Sequence, residues 1–80
     1  MDRDSFRLTE SDMAAVRKRM GETCELWRDS SPTRKLPTDV TARESLTRIG
    51  AHSIGCGLAD LRDSEVSWLE GVAGEYLGLK

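Results

Sequence analysis

Apolar residues recur along this chain at helical spacing, in blocks separated by polar or glycine-containing stretches. Met13, Val16, Met20, Cys24 and Trp27 return every three or four positions, with Ala14 and Leu26 at the margins. Lys18, Arg19, Glu22 and Glu25 fall on the opposite side. This pattern predicts one amphipathic helix over 9–28. Thr9 is a suitable first cap, and Glu10 and Asp12 place negative charge at the positive end of the helix dipole. Residues 29–38 hold both prolines, Pro32 and Pro37, and read as a loop. Thr38 or Asp39 could cap a short turn, and Leu46 and Ile49 suggest a helical turn within 43–50. Ile54, Cys56, Leu58, Ala59 and Leu61 predict a second helix over 53–61, although Gly55 and Gly57 interrupt it. Each such glycine costs about 1 kcal/mol relative to alanine. Asp63 or Ser64 then caps a last helix over 64–77, whose inner face carries Val66, Leu69, Val72, Ala73 and Tyr76. Strand-like alternation and internal repeats are absent. The expectation is an all-α fold: a small bundle of three main helices in one domain over 1–80, with 1–8 as a flexible arm.

The length of 80 residues adds a bound. A domain this small buries only about 60% of its unfolded surface, so its core is small and it has no room for a second domain. With 38% hydrophobic and 32% charged residues it is globular in composition rather than disordered. The net charge of −2 does not suit a free-standing nucleic-acid binder, which draws most of its affinity from basic side chains. The charge is also uneven. Residues 1–48 carry 10 Lys and Arg against 9 Asp and Glu, net +1, whereas residues 49–80 carry 2 against 5, net −3. The second half therefore suits a basic protein partner. The opening MDRDSFRLTE has no apolar core, and no apolar run approaches the roughly 20 residues of a membrane span. A cytoplasmic protein with Cys24 and Cys56 both reduced is expected, with no contact to membrane or nucleic acid.

One stretch carries a specific pattern: Leu46-x-x-Ile49-Gly50-Ala51-His52-Ser53-Ile54. It resembles the prosthetic-group site of acyl and peptidyl carrier proteins, with the histidine before the serine similar to the peptidyl carriers. The resemblance implies 4′-phosphopantetheine held covalently on Ser53, with His52, Gly50 and Ile54 shaping the site. Acyl or aminoacyl groups would ride on that arm as thioesters. The chemistry would then belong to the cofactor and to two partners, a phosphopantetheinyl transferase and a loading enzyme, and the chain itself would not be an enzyme. The site makes physical sense if Ser53 opens a helix, because a phosphodiester there meets free backbone N–H groups and the positive dipole end. Asp60, Asp63 and Glu65, close after Ser53, are the expected acidic contacts for those partners. The spacing departs from the family, which places a longer second helix, a loop and a short third helix between the serine and the closing helix.

Other readings compete. Gly50-Ala51-His52-Ser53-Ile54-Gly55 is also similar to the segment that carries the proximal histidine of plant-type haem peroxidases, but this chain is too short to enclose a haem in that fold. His52-x-x-x-Cys56 is similar to part of the H-x-x-x-C-x-x-C motif of zinc-binding anti-sigma domains, with Ala59 at the final cysteine position. A buried Cys56 beside a solvent-facing His52 is the plainer expectation, and no metal is assigned. The main alternative to a carrier is a small helical interaction module, a regulator or inhibitor. In that reading Trp27 or Trp68 anchors the contact and dimerisation supports a small core.

Overall fold

A computed structural model describes residues 6–33, 35–37 and 39–78. Three helices, α1 (Glu10–Ser30), α2 (Val40–Ser53) and α3 (Asp63–Leu77), pack pairwise against one another, and a single 3₁₀ turn (Leu58–Asp60) lies between α2 and α3. The all-α class is as expected, and among the described residues there is no strand.

Each helix begins where a side chain can take up its free N–H groups. At α1 the Thr9 hydroxyl accepts from the Asp12 N–H at 3.1 Å, and the Asp12 carboxylate accepts from the Thr9 N–H at 3.2 Å. This reciprocal pair closes the helix start without help from elsewhere. Asp39 caps α2 by accepting from the Ala42 N–H at 2.8 Å; Thr38, the other expected cap, lies outside the described residues. Glu65 reaches back from the first turn of α3 to accept from the Arg62 N–H at 2.8 Å.

The middle of the chain requires a correction. The expected turn over 43–50 and helix over 53–61 are replaced by one helix from Val40 to Ser53 and a short 3₁₀ turn. The stop is Gly55, which adopts φ +77°, with its N–H donating to His52 O and the Cys56 N–H donating to Ala51 O. These two bonds form a Schellman closure around a left-handed residue, a geometry that favours glycine. Gly55 therefore ends a helix rather than weakening one.

The core takes Val16, Met20 and Cys24 from α1, Ala42, Leu46 and Ala51 from α2, and Leu69, Val72, Ala73 and Leu77 from α3. The apolar stripes expected for α1 and α3 are the faces turned to the core, with Trp27 and Tyr76 partly buried at their margins. Thr23 and Thr47 are buried among these residues, and each hydroxyl donates to a carbonyl of its own helix, Arg19 O at 2.8 Å and Arg43 O at 2.7 Å. Their polar atoms thus need no partner across the core. At Gly50 side chains of α1 and α3 crowd against the backbone of α2. A methyl group built there would stand 2.6 Å from Met20 Cε and 3.2 Å from both Leu69 Cδ2 and Val16 Cγ1.

The arm expected over 1–8 is described from Phe6 onward. Residues 1–5 lie outside the described residues, but Phe6 and Arg7 dock on α3. The Phe6 ring stands edge-on to Trp68, with centroids 5.9 Å apart and an 80° interplanar angle, and the Arg7 N–H donates to Glu65 at 2.8 Å.

Candidate functional site

Ser53 is the last residue of α2, not the first residue of a helix. It is half-buried, and its hydroxyl donates to Gly50 O, one turn back. Nearby N–H groups that a phosphate could use are engaged, since those of Ile54, Gly55 and Cys56 all bond back into the helix end. A phosphodiester on Ser53 would meet the carbonyl end of the helix, where the dipole disfavours negative charge. The helix start that made the carrier site physically sensible is therefore absent. His52 is exposed at the same end, Gly50 is buried between three helices, and Ile54 packs half-buried against the core. Gly50, expected to allow a tight turn, allows close packing instead.

The acidic residues separate into two kinds. Asp60 and Asp63 are exposed, and the Asp60 carboxylate accepts from the Gly57 N–H at 3.2 Å. Glu65 is buried, which corrects its expected role as a surface contact. It accepts from the backbone N–H groups of Arg62 and Arg7 and lies 3.6 Å from the Arg7 guanidinium. Burial pushes its carboxyl pKa up. The two N–H groups, with the charge and side-chain hydrogen bond of Arg7, outweigh burial and hold it below the ordinary 4.5. A buried carboxylate persists only when paired in this way.

Cys24 and Cys56 are both free thiols. Cys24 is buried, and desolvation raises its pKa above the ordinary 9.0 while the charge of Arg28 draws it partly back. Cys56 is half-buried beyond the end of α2, with Sγ 3.8 Å from Ile54 O. Among the described residues no group of three or more His, Cys, Asp or Glu side chains is placed to share a metal ion. Within the same residues no helix is long and apolar enough to cross a membrane.

The two tryptophans have different surroundings. Trp68 is engaged on two sides, by the Phe6 edge and by the Arg17 guanidinium 5.6 Å from its ring centroid. Arg17 also lies 3.9 Å from Glu75, a surface pair of small energetic weight, and its carbonyl accepts from the Tyr76 hydroxyl at 3.0 Å. Trp27 instead lines an open groove of about 530 Å³ between the end of α1 and the loop after it, with Ser30, Ser31, Thr33, Lys35, Leu36 and Pro37. Neither the groove nor the docking of Phe6 and Arg7 is evident from helical periodicity, because both depend on irregular segments. An aromatic residue in an otherwise charged arm was the available signal for the second.

Comparison of the chain with family models, with curated proteins and with solved structures gives no match.

Proposed function

We propose that this chain is a small helical protein-interaction module that acts by occupying a partner's surface. The observation that carries this reading is the Trp27 groove. Its lining combines the aromatic and aliphatic side chains of Trp27, Leu36 and Pro37 with the hydroxyl groups of Ser30, Ser31 and Thr33, and among the described residues Lys35 is the charged side chain there. Leu26, beside Trp27 in the sequence, is 66% exposed, and Val40, three residues beyond Pro37, is 63% exposed. Exposed large apolar side chains and concave, partly apolar surfaces are both features of contact sites. Tryptophan in such a pocket is a frequent energetic anchor. The end-of-helix position of Ser53 favours this reading over the carrier reading, for which a serine at a helix start would be the natural support.

Panning a displayed peptide library against the folded protein tests the proposal. Selected binders should shift the Trp27 indole and Leu36 amide resonances, and should weaken at least tenfold with Trp27→Ala while the circular dichroism spectrum is unchanged. Binders that map elsewhere would overturn the Trp27 assignment. A phosphopantetheine mass gain on incubation with coenzyme A and a promiscuous transferase, abolished by Ser53→Ala, would replace the module with a carrier.

A further inference from the structure

We propose that the Glu65–Trp68 face of α3 is a second docking site, shaped for an extended protein segment carrying an aromatic–arginine pair, and that the chain's own Phe6-Arg7 is the internal ligand filling it. This inference is independent of whether the Trp27 groove binds anything.

The recognition chemistry is visible in the intramolecular contact. Two consecutive residues make three interactions. The Phe6 ring meets Trp68 edge-on at 5.9 Å, the Arg7 N–H donates to one Glu65 oxygen at 2.8 Å, and the Arg7 guanidinium lies 3.6 Å from the other. The receiving groups are fixed. Glu65 is held from within α3 by the Arg62 N–H, and Trp68 is backed by Arg17 across its ring. The occupying groups are looser, since Phe6 is 41% exposed and the Arg7 side chain 54% exposed.

The arm can leave without melting a helix. The reciprocal Thr9–Asp12 cap closes the start of α1 and uses nothing from residues 6–8. Departure of the arm would leave the Glu65 carboxylate and Trp68 to be met by an equivalent segment. Charge favours a segment rich in arginine. From Leu58 to Gly78 the exposed ionisable side chains are Asp60, Asp63, Glu70 and Glu75, against the half-buried Arg62 and, from α1, Arg17 over Trp68. A tethered ligand competes at an effective concentration of about millimolar order. A free segment therefore binds much better once the tethered one no longer fits.

The test uses the full-length chain and a synthetic peptide of residues 1–9, Met-Asp-Arg-Asp-Ser-Phe-Arg-Leu-Thr. In the Phe6→Ala/Arg7→Ala variant, the peptide should shift the Trp68 indole and Glu65 amide resonances. It should bind this variant at least tenfold more tightly than the wild-type chain. Replacing phenylalanine and arginine in the peptide by alanine should abolish the shifts, and Glu65→Gln in the variant should weaken binding. Equal binding to wild type and variant, shifts centred on Trp27, or no binding would overturn the proposal. Loss of helical circular dichroism in the double variant would overturn it as well, because the arm would then be part of the fold. Dimerisation of the wild-type chain through exchanged arms, at concentrations where the peptide does not bind the variant, would make a second copy the occupant and refute a foreign partner.

Discussion

Gly50→Ala sets two opposing effects against each other. Gly50 lies inside α2, so alanine gains about 1 kcal/mol of helix propensity. Against this, the new methyl stands 2.6 Å from Met20 Cε and 3.2 Å from Leu69 Cδ2 and Val16 Cγ1. Carbon atoms at rest lie about 3.5–4.0 Å apart, so the Met20 methyl must retreat by roughly 1 Å. Met20, Leu69 and Val16 are all fully buried, and the displaced atoms have no solvent to move into. Overpacking of this kind costs about 1–3 kcal/mol. The net expectation is destabilisation of up to about 2 kcal/mol once the propensity gain is subtracted from the overpacking cost. Gly71→Ala is the internal control. It lies within α3, is exposed, and a methyl there meets nothing within 4 Å. It should stabilise by up to about 1 kcal/mol.

Urea unfolding of the wild type and both variants measures the difference, with unchanged m-values required for a direct comparison of midpoints. The midpoint should rise for Gly71→Ala and not for Gly50→Ala. A double-mutant cycle locates the cause. In a Met20→Ala background the terminal methyl is gone, so Gly50→Ala should cost less than in wild type. If both glycine substitutions stabilise equally, the close three-helix approach at Gly50 is wrong.

Glu65→Gln should lower stability by about 1–3 kcal/mol, since it weakens charge-assisted bonds to a buried group. Because the folded pKa of Glu65 lies below 4.5, its contribution is present above that pH and is lost as pH falls through the folded value. The glutamine variant should therefore show a flatter decline in thermal midpoint below pH 4.5, and a decline as steep as wild type would contradict the assignment. At pH 8, maleimide should modify half-buried Cys56 first, while Cys24, buried and raised in pKa, should react only as the protein opens. Equal rates monitored by mass spectrometry would count against that packing. Asp39→Ala should cost about 1 kcal/mol through loss of the α2 cap, read as a drop of about 4–8 °C in melting temperature. An unchanged melting temperature would mean that Asp39 does not cap the helix.

The first and last helices are legible because each is a long periodic element, although α3 has Arg62, not the expected Asp63 or Ser64, at its cap position. Thr9 and Asp12 open α1, and the stripe Val16, Met20, Cys24 carries it into the core. The middle helix was misplaced because the sequence around Gly50 admits two descriptions. Apolar periodicity continues on both sides of it, through Leu46 and Ile49 and again through Ile54 and Leu58, so periodicity alone could not choose the helical half. The deciding signals were local: Asp39 ahead of Val40, and Gly55 just after the helix end. Taking Gly50 as a turn and Gly55 as helix interior exchanged their roles, and Ser53 moved from a helix end to a helix start. Glu65 was misjudged for a related reason. A carboxylate near a helix start is usually wet, and here the Arg62 N–H together with Arg7, 58 residues away, sustains the burial.

The two tryptophans connect fold to function. Both are half-buried and both lean on the core, so composition and burial do not distinguish them. Their neighbours do. Around Trp68 the chain supplies an aromatic edge from its arm, a guanidinium from α1 and, on α3 itself, the Glu65 carboxylate paired with Arg7, which satisfies the surface internally. Around Trp27 it supplies a loop with two prolines and a concave space. Proline restricts the loop in advance, so less conformational entropy remains to be lost when a partner arrives. The Trp27 groove thus resembles a site ready for an incoming group, whereas the Trp68 face already holds one. A partner that engaged both would have to displace Phe6 and Arg7 from the second face. Its binding would then expose the arm to proteases in proportion to occupancy, while binding at Trp27 alone would leave the arm protected.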